Sequence, residues 1–442
     1  MDKIYNIETF NKFIKLLYIA TAIGAFTDIF DTSVIGGSSV SIIKSLGITK
    51  PEFGLLGSMT FVGGIFGALS FGFLSDSIGR KKTFVLTLTL FIIFEFLSGI
   101  APNYLLLLFF RTIVGFAIGA DYVPAITLLS EFVMPDKRGS SFGFFWIMAN
   151  MGALFSYIIA FLLVPLGALQ WRVLFIIGVI PPIIGLLIRT KIPETPRWYA
   201  IKGDIKNAEN SLNEIGLNVN DVKNYVKFNE KPGKLMKPYI FGVTIPLFII
   251  MLLNIPASGL LELTPLMLIS LHISKSYTLL FTAAAWVTPV IIGNIIAFKL
   301  IDKLGRIKML VIGSIGLGIA LILMVIFSQY YFNIILMLVS MASGAILQSF
   351  YIPVIYSLST ELYPTKIRGI GEGISISGIR LAGIIGIFGG ALLLTYYKIS
   401  GMLIGYSLIC FAAVFVVISW LGKKAETNKM VLEDIDKRFI KN

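Results

Sequence analysis

Four ionisable residues stand in runs of sequence that offer almost nothing to pair with. Asp28 and Asp31 sit in an apolar run near 16–43, Arg111 in one near 104–132 and Arg380 in one near 369–396. An ionisable side chain at bilayer depth costs roughly 2.5–3.5 kcal/mol on insertion scales, so each of these should have a partner and a task. An aspartate beside an arginine in low dielectric is ionised while paired and takes a proton when the pairing weakens. That is the least equipment needed to couple a proton to a conformational change. At 1.5 Å per residue, Asp31 lies about 22 Å from the first end of its run and Arg111 about 10 Å from the opposite face, which is level with it in a core of ~30 Å. Asp28, one turn away on the same helix face, is a second carboxylate, and the proton can belong to either. Arg380 lies about 18 Å deep. As a fixed cation it suits a carboxylate or phosphate, or else pairs structurally with Glu372 or Asp121. Asn150, Asp121, Tyr122, Gln348 and Tyr351 add hydrogen-bonding groups for a solute near mid-depth. In NIPASGLLELTP, Pro256, Gly259 and Pro265 predict a broken helix, and Glu262 follows as a substrate or gate residue. Glu95, in the middle of a third apolar run, is either protonated or placed against a polar neighbour the sequence does not identify.

The elements that hold these residues follow from composition. Of 442 residues, 56% are apolar and 14% charged, with a mean hydropathy of +0.88. A soluble domain is roughly 45–50% apolar and about 25% charged, so the surplus has to be solvated by a lipid bilayer. One cysteine, Cys410, and one histidine, His272, exclude a disulfide framework, a Cys or His metal centre and a nucleophile–His site. No P-loop motif is present, which excludes an ATP-driven pump of that type. No cofactor, metal or enzymatic activity is expected. Twelve apolar runs reach the ~20 residues a bilayer requires. They lie near 16–43, 52–75, 83–101, 104–132, 140–164, 171–190, 238–270, 277–298, 309–327, 333–360, 369–396 and 399–421. With alternate loops on alternate sides, 30 of the 37 Lys and Arg fall on the face of the N-terminus and 5 on the other. The net charge of +13 therefore reads as a positive-inside signal rather than a nucleic-acid site, with both termini cytoplasmic in the plasma membrane. The expected fold is an all-α membrane protein of twelve transmembrane helices in two pseudo-symmetric six-helix halves, acting as a monomer. The halves are 1–190 and 238–421, joined by a polar cytoplasmic linker at 191–237 with a short amphipathic helix at 203–216, and 422–442 is a cytoplasmic tail.

The halves repeat each other. GFLSDSIGRKK between spans 2 and 3 supplies Asp76, Gly79 and Arg80, and KLIDKLGRIK between spans 8 and 9 supplies Asp302 and Arg306. SEFVMPDKRG gives Glu131 and Arg138, and TELYPTKIRG gives Glu361 and Arg368. A parallel repeat of this kind places a substrate site between the halves. These paired motifs resemble the major facilitator superfamily over nearly the whole chain. IPETPRW at 192–198, FDTSVIGG at 30–37 and RTIVGFAIGADY at 111–122 resemble its sugar porters, while FTDIFDTSVIG and GADY are similar to its phosphate and organic-acid proton symporters. The resemblance implies alternating access. It makes Asp76, Arg80, Glu131, Arg138, Asp302, Arg306, Glu361 and Arg368, joined by Glu194 and Arg197, a cytoplasmic gate of ion pairs. It also implies that Asp31 with Arg111 couples protons. Where the sugar porters carry glutamines in spans 5 and 7, this chain has Asn150 and Asn254. With Arg380, that shifts the expected cargo from a sugar to a small organic anion such as an aromatic acid. A sugar:proton symporter and a passive facilitator are the alternatives, with a solute sensor last.

Overall fold

The computed structural model describes residues 6–132, 138–194, 196–217, 240–363 and 368–421. Twelve helices among them are long and apolar enough to cross a bilayer. Spans 1–6 are Ile7–Leu46, Lys50–Ser70, Lys81–Gly99, Tyr104–Asp121, Phe144–Leu162 and Val164–Arg189; spans 7–12 are Ile245–Ile269, Lys275–Ile301, Arg306–Gln329, Ile334–Leu358, Ser377–Tyr396 and Lys398–Ser419. No strand occurs among the described residues. Each of these helices coincides with one of the twelve apolar runs. The large departure is the first helix, which starts about two turns before its apolar run. Asn6 caps it by accepting from Thr9 N–H at 3.1 Å, and the Asn6 N–H donates to the Gly216 carbonyl at 3.1 Å. Phe13 and Leu17 then bury against Ala208, Leu212 and Ile215 on and just after the linker helix Ile205–Glu214, so linker packing replaces lipid along the added turns.

Two turns at equivalent places have nearly the same backbone. Gly79 precedes span 3 at φ 102°, ψ 151°, and Gly305 precedes span 9 at φ 86°, ψ 163°. A side chain disfavours this positive-φ region, which explains glycine in both copies of the motif.

Spans 2 and 4 touch backbone to backbone. A Cβ on Gly115 would collide with the Thr60 carbonyl and one on Gly119 with that of Gly64, while Gly63 and Gly67 face Thr112 and Phe116 in return. Small residues every fourth position on both helices permit that approach. It is the packing that fixes Arg111, one turn before Gly115. Between the halves, span 1 packs on span 7, span 2 on span 11 and span 5 on span 8.

Several spans bend, and side-chain hydroxyls meet the carbonyls that the bends release. Span 7 breaks between the helices Ile245–Met251 and Asn254–Ile269, a turn earlier than the Pro256–Pro265 stretch suggested. Pro256 cannot donate to the carbonyl four residues back, so the break falls at Leu252–Leu253. Tyr351 donates to the Leu253 carbonyl at 3.1 Å. Pro265 stays inside the helix, and the Leu261 carbonyl it leaves unused accepts from Tyr157 of span 5 instead. In span 11 the widened turn Ile385–Gly389 is served by Tyr406, which donates to the Gly386 carbonyl at 2.6 Å. Irregular backbone at membrane depth is tolerated where protein groups re-satisfy it in this way.

Candidate functional site

Arg111 is fully enclosed and holds two carboxylates. Its Nη1 and Nη2 donate to Asp31 Oδ1 and Oδ2 at 2.7 and 2.6 Å, a bidentate pair, and Nη1 also donates to Glu95 Oε2 at 2.7 Å. Asp31, Glu95 and Arg111 are 1%, 0% and 0% exposed, so bulk solvent does not screen the charges. Thr60 Oγ1 lies 3.4 Å from Nη2, and Phe175 covers the guanidinium at 5.1 Å from its ring centre. The Asp31–Arg111 pairing is the one the depth arithmetic predicted. Glu95 is the neighbour the sequence did not supply: span 3 lies beside span 4 and turns this residue inward.

One turn from Asp31, Asp28 opens onto a cavity between the halves. Asp28 Oδ2 stands 3.6 Å from Arg380 Nη2, and the guanidinium lies over Phe61 at 5.7 Å. Arg380 is thus met by Asp28 rather than by Asp121. Trp146, Trp286 and Tyr356 supply aromatic walls, while Asn150, Asn254, Ser258, Asn294 and Gln348 supply polar ones. Asn150 Nδ2 donates to the Trp146 carbonyl at 2.8 Å, and Asn254 Nδ2 faces Ser258 Oγ at 3.3 Å. Asn294 Oδ1, Gln348 Oε1 and Asp28 Oδ1 are buried with no hydrogen-bond donor. An unmet buried acceptor costs about 1–3 kcal/mol, so a bound solute that brings donors recovers that energy.

The remaining expected residues are distributed elsewhere. Asp121 does not line the cavity; it accepts from Arg189 of span 6 and lies 3.4 Å from Thr87 Oγ1. Arg189, at the end of span 6, is only 4% exposed and stacks over Phe84 at 4.7 Å. Tyr351 points into the packing of spans 7–12, and Glu262 is wedged between the halves away from the cavity. Of the expected gate, Gly79 and Glu194 touch: Glu194 Oε2 accepts the Lys81 N–H at 2.9 Å, and a Cβ on Gly79 would fall 2.6 Å from it. Glu194 therefore sits on the N-terminus of span 3, where a carboxylate meets free N–H groups. Arg306 Nη1 approaches the Ile301 carbonyl at 3.4 Å. The side chains of Asp76, Arg80, Tyr122, Glu131, Arg138, Arg197, Asp302, Glu361, Arg368 and Glu372 lie outside the described residues. Trp146, Trp286, Asn294 and Phe61 were not singled out in the sequence. Asn294, a lone amide in the apolar run of span 8, was the available signal.

Residues 5–439 match the model of a family described as "Sugar (and other) transporter". The chain belongs to that family. Its members are transporters, so this is a multi-pass transporter and not an enzyme. The chain is 27% identical to a D-xylose transporter of Levilactobacillus brevis, over 95% of this chain and 94% of the relative. It is 28% identical to the niacin transporter NiaP of Acinetobacter baylyi, over 87% and 88%. In fold it superposes on the major facilitator superfamily proton:xylose symporter XylE bound to 6-bromo-6-deoxy-D-glucose, with a TM-score of 0.81 at 20% identity, covering 97% of this chain and 99% of that one. The major facilitator fold inferred from the paired motifs is therefore the fold of this chain.

Proposed function

We propose that this transporter is a proton-coupled symporter of the plasma membrane that carries a small hydroxylated solute of monosaccharide size by alternating access. The positive-inside bias supports an orientation with both termini and the linker in the cytoplasm. The observation that carries the coupling is the enclosed group Asp31–Arg111–Glu95. Two ionised carboxylates and one guanidinium sum to one negative charge, and a single added proton brings the group to neutrality. A lone Asp–Arg pair would leave a bare buried cation on protonation, which is expensive. Here Glu95 keeps Arg111 paired in both states, so Asp31 can load and unload a proton without exposing the guanidinium to an apolar interior.

The hydroxylated cargo rests on the unmet acceptors Asn294 Oδ1, Gln348 Oε1 and Asp28 Oδ1, which call for donors, beside Trp146 and Trp286, which suit the apolar face of a ring. This revises the sequence-based preference for an organic anion. That preference came from Arg380, whose charge is already answered by Asp28. Amides of spans 8 and 10, Asn294 and Gln348, line the cavity together with Asn150 of span 5 and Asn254 of span 7. A carboxylated aromatic ring is the second reading, favoured by the 3.6 Å separation of Arg380 from Asp28, loose enough for a competing carboxylate to enter. A thermal-shift screen of the purified protein against pentoses, hexoses and pyridine or benzene carboxylates separates the two. Stabilisation by sugars alone supports the first, and stabilisation by aromatic acids alone replaces it with the second.

A further inference from the structure

Glu262 is 1% exposed, and its Oε2 has no hydrogen-bond donor. It sits on span 7, in the half of the span remote from the linker, at the seam where the two six-helix groups meet. A Cβ on Gly57 of span 2 would collide with Glu262 Oε2, and one on Gly36 of span 1 would lie 3.0 Å from the Glu262 Cα. Beside it, two hydrogen bonds cross the seam: Tyr157 donates to the Leu261 carbonyl, and Ser58 Oγ donates to the Ile384 carbonyl at 3.2 Å. This face is shut, and a carboxyl group lies inside the closure.

The titratable and charged groups around it are known. Asp31 of span 1 and Arg111 of span 4 lie within electrostatic reach of it, and the hydroxyls of Tyr157 on span 5 and Tyr406 on span 12 lie within reach of its own charge. Span 2 presents Gly57 and span 11 presents Ile387, neither of which titrates. Arg111 is the one cation in this set, and it already hydrogen-bonds two carboxylates. An ionised Glu262 would thus be a further negative charge in an apolar seam with an oxygen lacking a donor, which is costly. Parting of the halves at this face would give it water.

We propose that Glu262 is a second proton-binding residue, distinct from Asp31, whose protonation closes the face of the transporter remote from the linker and whose ionisation opens it. The idea rests on the alternating-access reading above but concerns a different carboxyl. It gives the external pH a direct hold on the gate.

The test uses the full chain in liposomes, with Cys410→Ser removing its one thiol. Ser58→Cys places a thiol in the seam. Tyr330→Cys, at a 77% exposed position, corrects for the reactivity of thiols with pH. The measured quantity is the maleimide labelling rate at 58 divided by that at 330, without substrate. With one linked proton the ratio rises with pH by up to about tenfold per unit. Glu262→Gln should hold the ratio low and flat, and Gly57→Ala, which crowds Oε2, should raise it at every pH. Asp31→Asn should keep the pH slope. A flat ratio in the Ser58→Cys protein overturns the proposal even if Glu262→Gln fails to fold. A slope that survives Glu262→Gln but vanishes in Asp31→Asn assigns the proton to Asp31, which overturns the proposal while leaving the coupling mechanism standing.

Discussion

The sharing of Arg111 between two carboxylates predicts a specific failure of additivity. Asp31→Asn and Glu95→Gln are near-isosteric and each removes one charge. After either one, Arg111 still holds a carboxylate at the 2.6–2.7 Å separations seen here. Each single variant should lose about one hydrogen bond, ~1 kcal/mol. The double variant leaves an enclosed guanidinium with no hydrogen-bonded carboxylate, a situation that costs about 3–5 kcal/mol in total, more than the two single losses together. Contacting residues in one network are where such coupling is expected, since typical interaction energies run to ~3 kcal/mol. Thermal melts of the detergent-purified protein should show both single variants within a few degrees of the parent and the double variant shifted by well over the sum of the two. Additive shifts, or an Asp31→Asn shift as large as that of the double, would refute the claim that Glu95 supports Arg111 when Asp31 is neutral.

Two other perturbations follow from the packing and the cavity. Gly115→Leu forces spans 2 and 4 apart at the Thr60 carbonyl and should cost more than the ~1–3 kcal/mol of ordinary overpacking, read as loss of folded yield on size-exclusion chromatography. Arg380→Gln frees Asp28 of its cation, so under a hydroxylated cargo it should weaken solute binding by less than tenfold in a thermal-shift titration, whereas under a carboxylate cargo binding should fall by more than a hundredfold, equivalent to about 3 kcal/mol.

The sequence carried the fold almost completely, because span length, loop charge and paired motifs are one-dimensional signals. Depth along a helix is also one-dimensional, and it brought Asp31 and Arg111 together before any coordinates. Rotation about the helix axis and the choice of lateral neighbour are not written that way. That is why Glu95 had no visible partner, and why Asp121 was set against Arg380 where Asp28 stands. The cavity was half legible for the same reason. Asn150, Asn254 and Gln348 stood out as amides in apolar runs, but only the packing of span 8 against span 5 brings Trp286 and Asn294 to the same space as Trp146. Tyr351 shows the converse, since its hydroxyl serves a broken backbone that no residue count could locate to within a turn.

The central claim is that one proton, carried by the Asp31–Arg111–Glu95 group, drives the solute. It is tested most directly by solute accumulation in liposomes under an imposed inward proton gradient, with a solute chosen by the thermal-shift screen. The unaltered chain should accumulate solute above the external concentration, and Asp31→Asn should abolish accumulation while still equilibrating solute across the membrane. Gradient-driven accumulation that persists in Asp31→Asn, or a parent protein that only equilibrates its solute, would contradict it.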